Sequence, residues 1–298
     1  MKYQLFAASV FAATCCFSGR AIAADFSGIY VFGDSLSDTG NLFNVTEALL
    51  GTGSPPPPYF EGRITNGPNW IDFLAEELEL NPTPITEVFP GQLTQGINFA
   101  FAGATSGSDN TLFVGLPGLA QQAQTFLSLL PPTGTDPNAL YIVWTGANDY
   151  LPTNSLSFTP YTTPDFPIAS ITNIISGLSA LGAQNFLVPN LPDLGKVPSA
   201  VLSGNSTALS ALTTEHNLRL SNTLALLDQT LPNSTFYSLD TNTLFNEAIA
   251  GSLGFTNVYN SLSQSCRSNR LSKPQRVFIL GFRPSHLRRP SANCYPCR

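Results

Sequence analysis

From Gly28 to about Gly251, short apolar, β-branched-rich runs alternate with longer stretches whose apolar residues recur at helical spacing. Five runs read as buried strands: residues 29–32, 96–101, 140–144, 185–188 and 235–239. Between them, residues 70–78, 119–130, 168–181 and 209–231 carry apolar positions at helical intervals. Strands alternating with helices in this way predict one α/β domain, a parallel sheet covered by helices on both faces. The proline-rich GTGSPPPP at 51–58 breaks the pattern. It reads as an excursion between the first strand and its helix, because the roughly 25 mature residues before it cannot form a domain.

Composition narrows the picture. The 298 residues are 43% hydrophobic, ample for a core, and only 11% are charged, so Ser, Thr, Asn and Gln must build much of the surface. A net charge of −6 argues against a nucleic-acid partner, which needs a basic face. The charge is unevenly spread: residues 1–266 hold 5 Lys+Arg and 19 Asp+Glu, whereas 267–298 hold 8 basic residues and no acidic one. The first 23 residues read as a signal peptide, with Lys2, an apolar stretch from Leu5 to Phe17, and the small-x-small pattern Ala21-Ile22-Ala23. No later stretch reaches the ~18 consecutive apolar residues of a membrane span, so a soluble protein, secreted or periplasmic, is expected. Cys15 and Cys16 leave with that leader. The domain at 24–265 then has no cysteine, and Cys294-x-x-Cys297 lacks the second pair a metal site requires. No metal and no cofactor are expected.

The first strand runs into Gly33-Asp34-Ser35-Leu36-Ser37-Asp38-Thr39-Gly40-Asn41, placing Ser35 where an open parallel sheet presents ligand-binding residues. The G-x-S-x-G elbow of α/β-hydrolases is absent. Alone, Ser35 could be an ordinary helix cap. Two clusters at the ends of the next strands alter that balance. Asn98-Phe99-Ala100-Phe101-Ala102-Gly103-Ala104-Thr105 offers small residues around a backbone N–H, and Trp144-Thr145-Gly146-Ala147-Asn148-Asp149-Tyr150 offers an amide side chain. A hydroxyl, a glycine N–H and an asparagine N–H converging on one edge are what acyl transfer needs.

These blocks resemble the SGNH or GDSL esterases and lipases. The resemblance spans about residues 25–258 and implies a flavodoxin-like three-layer α/β/α sandwich with a five-stranded parallel sheet. It implies Ser35 as nucleophile, with Gly103 and Asn148 as oxyanion donors beside the Ser35 N–H. It also implies a small-molecule or lipid ester as substrate. Val188-Pro189-Asn190-Leu191-Pro192-Asp193-Leu194-Gly195 is similar to the loop after the fourth strand. Tyr59 and Phe60, in the long loop, are candidates to contact an acyl chain.

The fourth block of that family, D-x-x-H-P, is missing. His216, within a helical stretch, reads as structural or solvent-facing, and His286 has no Asp or Glu within the thirty residues before it. Both are poor candidates for the base. The genetic code allows residues 276–297 to be back-translated so that the next frame reads EYLFWDSVHPTSAAHQLIATLA, with its Asp across the Gly281 codon and its His across Pro284. This points to a one-base frame slip between about 258 and 266, and to 266–298 as an atypical, poorly ordered tail. The slip also removes the C-terminal helix of the family, so bare apolar surface is expected beside the first strands. Other readings remain: a ligand-binding relative without catalysis, or a surface-binding protein whose basic tail meets an anionic surface.

Overall fold

The computed structural model describes residues 26–89, 94–153 and 158–253. The expected leader, the tail with His286, and Cys266, Cys294 and Cys297 lie outside them. The continuous apolar runs have a simple cause: both faces of the sheet are covered. In β1 (Ile29–Gly33) and β4 (Leu140–Trp144), nine of the ten residues are buried and the tenth, Tyr30, nearly so. Successive side chains alternate between two cores. Ile29, Val31, Leu140, Ile142 and Trp144 meet Trp70, Ile71 and Ala75 of α2 (Trp70–Glu77). Tyr30, Phe32, Tyr141 and Val143 face the other side, against α3 (Leu119–Leu129) and α5 (Asp165–Ala180). There Phe126 stands edge-on to Tyr30, Phe32, Phe99 and Tyr141.

The remaining strands are β2 (Thr83–Pro84), β3 (Gly96–Asn98), β5 (Asn185–Pro189) and β6 (Thr235–Leu239). All pair in parallel, in the order β2-β3-β1-β4-β5-β6. The sheet therefore has six strands, not five. The extra one, β2, is two residues at the outer edge, too short to leave a periodic signal. Without it the order is that of flavodoxin-like sheets, in which the chain moves to one side of β1 and then to the other. The carboxyl edge at that reversal, where β1 lies between β3 and β4, is where such folds bind ligands.

Helix α1 (Asn41–Leu50) follows the serine turn, and α4 (Ala147–Tyr150) follows β4. Helix α6 (Pro198–Ser203) leads into α7 (Ser206–Thr230), and α8 (Thr241–Ile249) closes the described chain. No stripe announces α1, because Leu49 and Leu50 at its end are 75% and 65% exposed. In α7 the buried stripe is Leu209, Thr213, His216, Leu220 and Leu227. His216 is thus a core residue.

The expected bare surface beside the first strands is not there: α2 covers Ile29 and Val31 completely. Half-exposed apolar residues on that face lie instead at the far strands, at Leu187, Leu239 and Tyr237. Among the described residues no helix is long and apolar enough to cross a membrane.

Candidate active site

Three loops leave the carboxyl edge at the reversal point, and a buried hydrogen-bond network sets their relative positions. Ser35 is half-buried in a turn closed by Ser37 and Asp38 N–H donating to the Asp34 carbonyl, each at 3.0 Å. The Asp34 carboxyl accepts Leu36 N–H at 3.0 Å. Among the described residues, nothing hydrogen-bonds the Ser35 hydroxyl or its N–H. Gln122 of α3 holds the turn's base, accepting Gly33 N–H at 2.9 Å and donating to its carbonyl at 2.8 Å.

Asp38, fully buried, is the hub. One oxygen accepts Gly40 and Asn41 N–H at 2.8 and 2.7 Å, the other Leu42 N–H at 3.1 Å and Ala102 N–H at 2.9 Å. Burial raises its pKa, and the four N–H groups oppose that rise. With every lone-pair direction met by a donor, this is the geometry of a carboxylate. The Ala102 bond ties the serine turn to the residue before Gly103. Two buried asparagines add to the tie. Asn98 donates to the Ser37 carbonyl and the Thr39 hydroxyl, at 2.8 and 2.9 Å. Asn41 donates to the Asn98 and Ala100 carbonyls, also at 2.8 and 2.9 Å. Asn69, the N-cap of α2, donates to the Asp38 carbonyl at 3.0 Å.

Gly103 has φ +83°, and a Cβ there would lie 2.5 Å from Asn110 Oδ1 and 2.8 Å from Leu112 Cγ, so no other residue fits. Its carbonyl accepts Thr111 N–H at 2.8 Å, while none of the described residues accepts from its N–H. Asn148, in the first turn of α4, donates one amide N–H to the Ala104 carbonyl at 2.9 Å. An amide has two such hydrogens, which leaves one. Gly103 is thereby flanked by a tie to the Ser35 turn on one side and to Asn148 on the other. The structure brings together the three residues expected from the sequence.

The surrounding electrostatics are acidic and dry. Burial pushes the Asp34 pKa up to about 7, with Asp149 and Asp38 adding repulsion. Asp149, fully buried, accepts Ser106 N–H and hydroxyl at 3.0 and 2.7 Å, and burial lifts its pKa to about 6. His216 is fully buried on α7, with Nδ1 2.7 Å from the Tyr150 hydroxyl and no partner for Nε2 among the described residues. Burial lowers its pKa to about 4, which suits a packed neutral ring and not a base for Ser35. It lies against Gly146, φ +123°, where a Cβ would meet its Cε1 at 3.0 Å. Among the described residues no group stands as base to Ser35, and none cluster as metal ligands. Of the long loop, Phe60 is capped by the Arg63 guanidinium, 5.7 Å from its ring centre.

Asp38, Asn41, Asn98 and Asp149 are the site residues that sequence reasoning left without a role. All four stand within or beside the motifs, and that adjacency was their only signal.

Residues 29–269 match the GDSL-like lipase/acylhydrolase family. The chain is 34% identical over 204 residues to a phosphatidylcholine-sterol acyltransferase of Aeromonas hydrophila, covering 66% of this chain and 54% of that one. It is 30% identical over 275 residues to a GDSL esterase/lipase of Zea mays, covering 77% and 68%. An Arabidopsis thaliana GDSL esterase/lipase is 27% identical over 266 residues, covering 76% and 66%. The chain thus spans between about half and two thirds of the length of these relatives. Among solved structures, an acetylxylan esterase mutant from Geobacillus stearothermophilus is 12% identical with a TM-score of 0.43, over 75% of this chain and 80% of that one. That level adds nothing to the topology above.

Proposed function

The chain belongs to the GDSL-like lipase/acylhydrolase family, and from that premise we propose that it is an exported hydrolase of carboxylic acyl esters with Ser35 as nucleophile. The observation that carries the reading is the set of unspent donors. The Ser35 N–H, the Gly103 N–H and one Asn148 amide hydrogen stand at one sheet edge, around a hydroxyl that nothing described engages. In the reaction, Ser35 Oγ attacks the ester carbonyl carbon as its proton passes to a base. The three N–H groups stabilise the oxyanion, each being worth about 3 kcal/mol. The bond to the alcohol oxygen then breaks, and the alcohol leaves with that proton. Water attacks the acyl-Ser35 ester, releasing the acid and restoring the hydroxyl. Neither a metal nor a cofactor takes part.

The base belongs to the D-x-x-H-P string encoded one base away from residues 276–297. The family match, which ends at residue 269, and the acid-free composition from 267 onward both support a frame slip just upstream. Losing the base of a serine hydrolase costs on the order of 10⁶ in kcat, so the chain as given should be nearly inert. The test is hydrolysis of a short-chain nitrophenyl ester by three proteins: the chain as given, the frame-restored chain, and the restored chain carrying Ser35→Ala. Turnover only in the restored chain is expected. Turnover that persists in Ser35→Ala overturns the nucleophile. Codons between 258 and 297 that forbid the alternative string overturn the slip. Binding without turnover in all three would favour a ligand-binding relative, a reading that the lack of a described base supports.

A further inference from the structure

The helix that carries Asn148 cannot fix its own direction. α4 has four residues, closed by Asp149 N–H donating to the Gly146 carbonyl at 3.3 Å and Leu151 N–H to the Ala147 carbonyl at 3.1 Å. A single turn of this kind is unstable alone, so its orientation comes from what it packs against. One flank is tied to the loop after β3, through Asn148 donating to the Ala104 carbonyl and Asp149 accepting from the Ser106 hydroxyl. The other flank meets α7.

On α7, the buried ring of His216 touches α4 at both ends. At its start, a Cβ on Gly146, φ +123°, would meet His216 Cε1 at 3.0 Å and Nε2 at 3.5 Å. At its end, the Tyr150 hydroxyl lies 2.7 Å from His216 Nδ1, and the two rings stand edge-on with 5.6 Å between centres. Asn148 lies between these contacts. The next residue of α7, Asn217, grips the Leu191 backbone, accepting its N–H and donating to its carbonyl, both at 2.8 Å. Leu191 Cδ1 in turn would lie 3.2 Å from the same Cβ on Gly146. One step of α7 thus backs the whole turn. A leucine at 216 would fill space without burying a polar atom. The histidine leaves Nε2 without a partner among the described residues, and what it adds is the bond at Nδ1.

We propose that His216 is a positioning residue for acyl transfer: through Gly146 and Tyr150 it holds α4 so that the Asn148 amide hydrogen not bonded to Ala104 is aimed at the oxyanion. The proposal rests on the reading of Asn148 as an oxyanion donor, and His216 acts on the ester only through it. Such a donor is effective when its direction is fixed before the charge develops. Without the Tyr150 bond, α4 can pivot about the bond to Ala104, and Asn148 keeps its chemistry but loses its aim.

Tyr150→Phe and His216→Leu each break the bond, and two experiments on them test the proposal. The first is hydrogen exchange followed by NMR on the full chain as given, which requires no turnover. The Asn148 side-chain amide, identified by its absence in Asn148→Ala, should exchange about tenfold faster in either variant. The buried Asn98 amide, which ties β3 to the Ser35 turn, should be unchanged. The second is steady-state ester hydrolysis by the frame-restored chain. Each variant should lower kcat about 10- to 100-fold, with KM within about twofold, since a whole oxyanion donor is worth roughly 10²–10³-fold. In an Asn148→Ala background, neither should lower kcat by more than about a further twofold. Asn148 exchange equal to the parent's overturns the proposal, and so does Asn98 exchange that quickens with it, because the effect is then a general loosening. A raised KM at constant kcat, or an undiminished loss in the Asn148→Ala background, also overturns it. If the Asn148 amide is released while Asn148→Ala leaves kcat unchanged, the hold on α4 stands and the oxyanion role of Asn148 falls. If the restored chain is inactive, the esterase reading falls and the exchange result alone decides whether His216 holds α4.

Discussion

The carboxyl of Asp34 stands one residue before Ser35, is 1% exposed, and has Asp149 and Asp38 as acidic neighbours. With its pKa pushed up to about 7 from the ordinary 3.8, the folded chain keeps a proton there that the unfolded chain has released. The folded state binds more protons between about pH 4 and 7, so this group makes stability fall as pH rises through that window. Asp34→Asn removes the titration and keeps the bond to Leu36 N–H, because an amide oxygen can replace the carboxyl oxygen as acceptor. The interval from pH 5 to pH 8 takes in about two of the roughly three pH units over which the folded parent alone holds this proton. At about 1.36 kcal/mol for each of those pH units, the variant should gain about 2–3 kcal/mol relative to the parent across that interval. For a domain of this size that is a widening of the Tm difference by about 5–10 °C. His216 acts in the opposite sense: its pKa is lowered to about 4, so stability from it is lost as pH falls from 6.5 to 4. Both proteins contain His216, and its contribution cancels in the comparison. The assay is calorimetric melting of parent and variant at the two pH values. A Tm difference that is the same at pH 5 and pH 8, within about 2 °C, would refute the account of Asp34 as a buried acid under repulsion.

Three further outcomes follow from the geometry. Asp38→Asn leaves one acceptor oxygen for four backbone N–H groups, so two lose their partner at a cost of about 2–6 kcal/mol; an unchanged Tm would show that those N–H groups find acceptors elsewhere. Gly103→Ala forces a Cβ to 2.5 Å from Asn110 Oδ1 at φ +83°. It should cost on the order of 1–3 kcal/mol and lower kcat of the frame-restored enzyme more than it raises KM, a split read by steady-state kinetics. Phe126→Ala removes the ring that Tyr30, Phe32, Phe99 and Tyr141 all touch, and should cost about 3–5 kcal/mol by urea titration; a loss under about 1 kcal/mol would mean that this core collapses to fill the space.

The five long strands were legible because a parallel sheet covered on both faces must be apolar at successive positions, and the linear pattern records that directly. Ser35, Gly103 and Asn148 were legible because strand ends at a reversal point converge whatever lies between them. The end of β3 was not. Residues 99–101 are as apolar as a strand and as buried, and Phe99 and Phe101 still donate to the Val31 and Gly33 carbonyls, yet the regular ladder stops at Asn98: Gly33 N–H turns to Gln122, and the Asn98 and Ala100 carbonyls accept the side chain of Asn41. Nor was the network beneath the site. Asp38 meets Ala102 across 64 residues of sequence, Asn98 meets Ser37 across 61, and Asp149 meets Ser106 across 43. Periodicity reports which side of an element is buried, and motif spacing reports which chemistry is present. A side chain's backbone partner fifty residues away is decided only when the strands pair and the loops close over them. Sequence alone therefore determined the class of fold and the family, and it singled out Ser35, Gly103 and Asn148 as the residues to bring to one sheet edge. The tertiary structure decided that His216 is core and that the buried Asp38 carboxylate ties Ala102, next to Gly103, to the turn that carries Ser35.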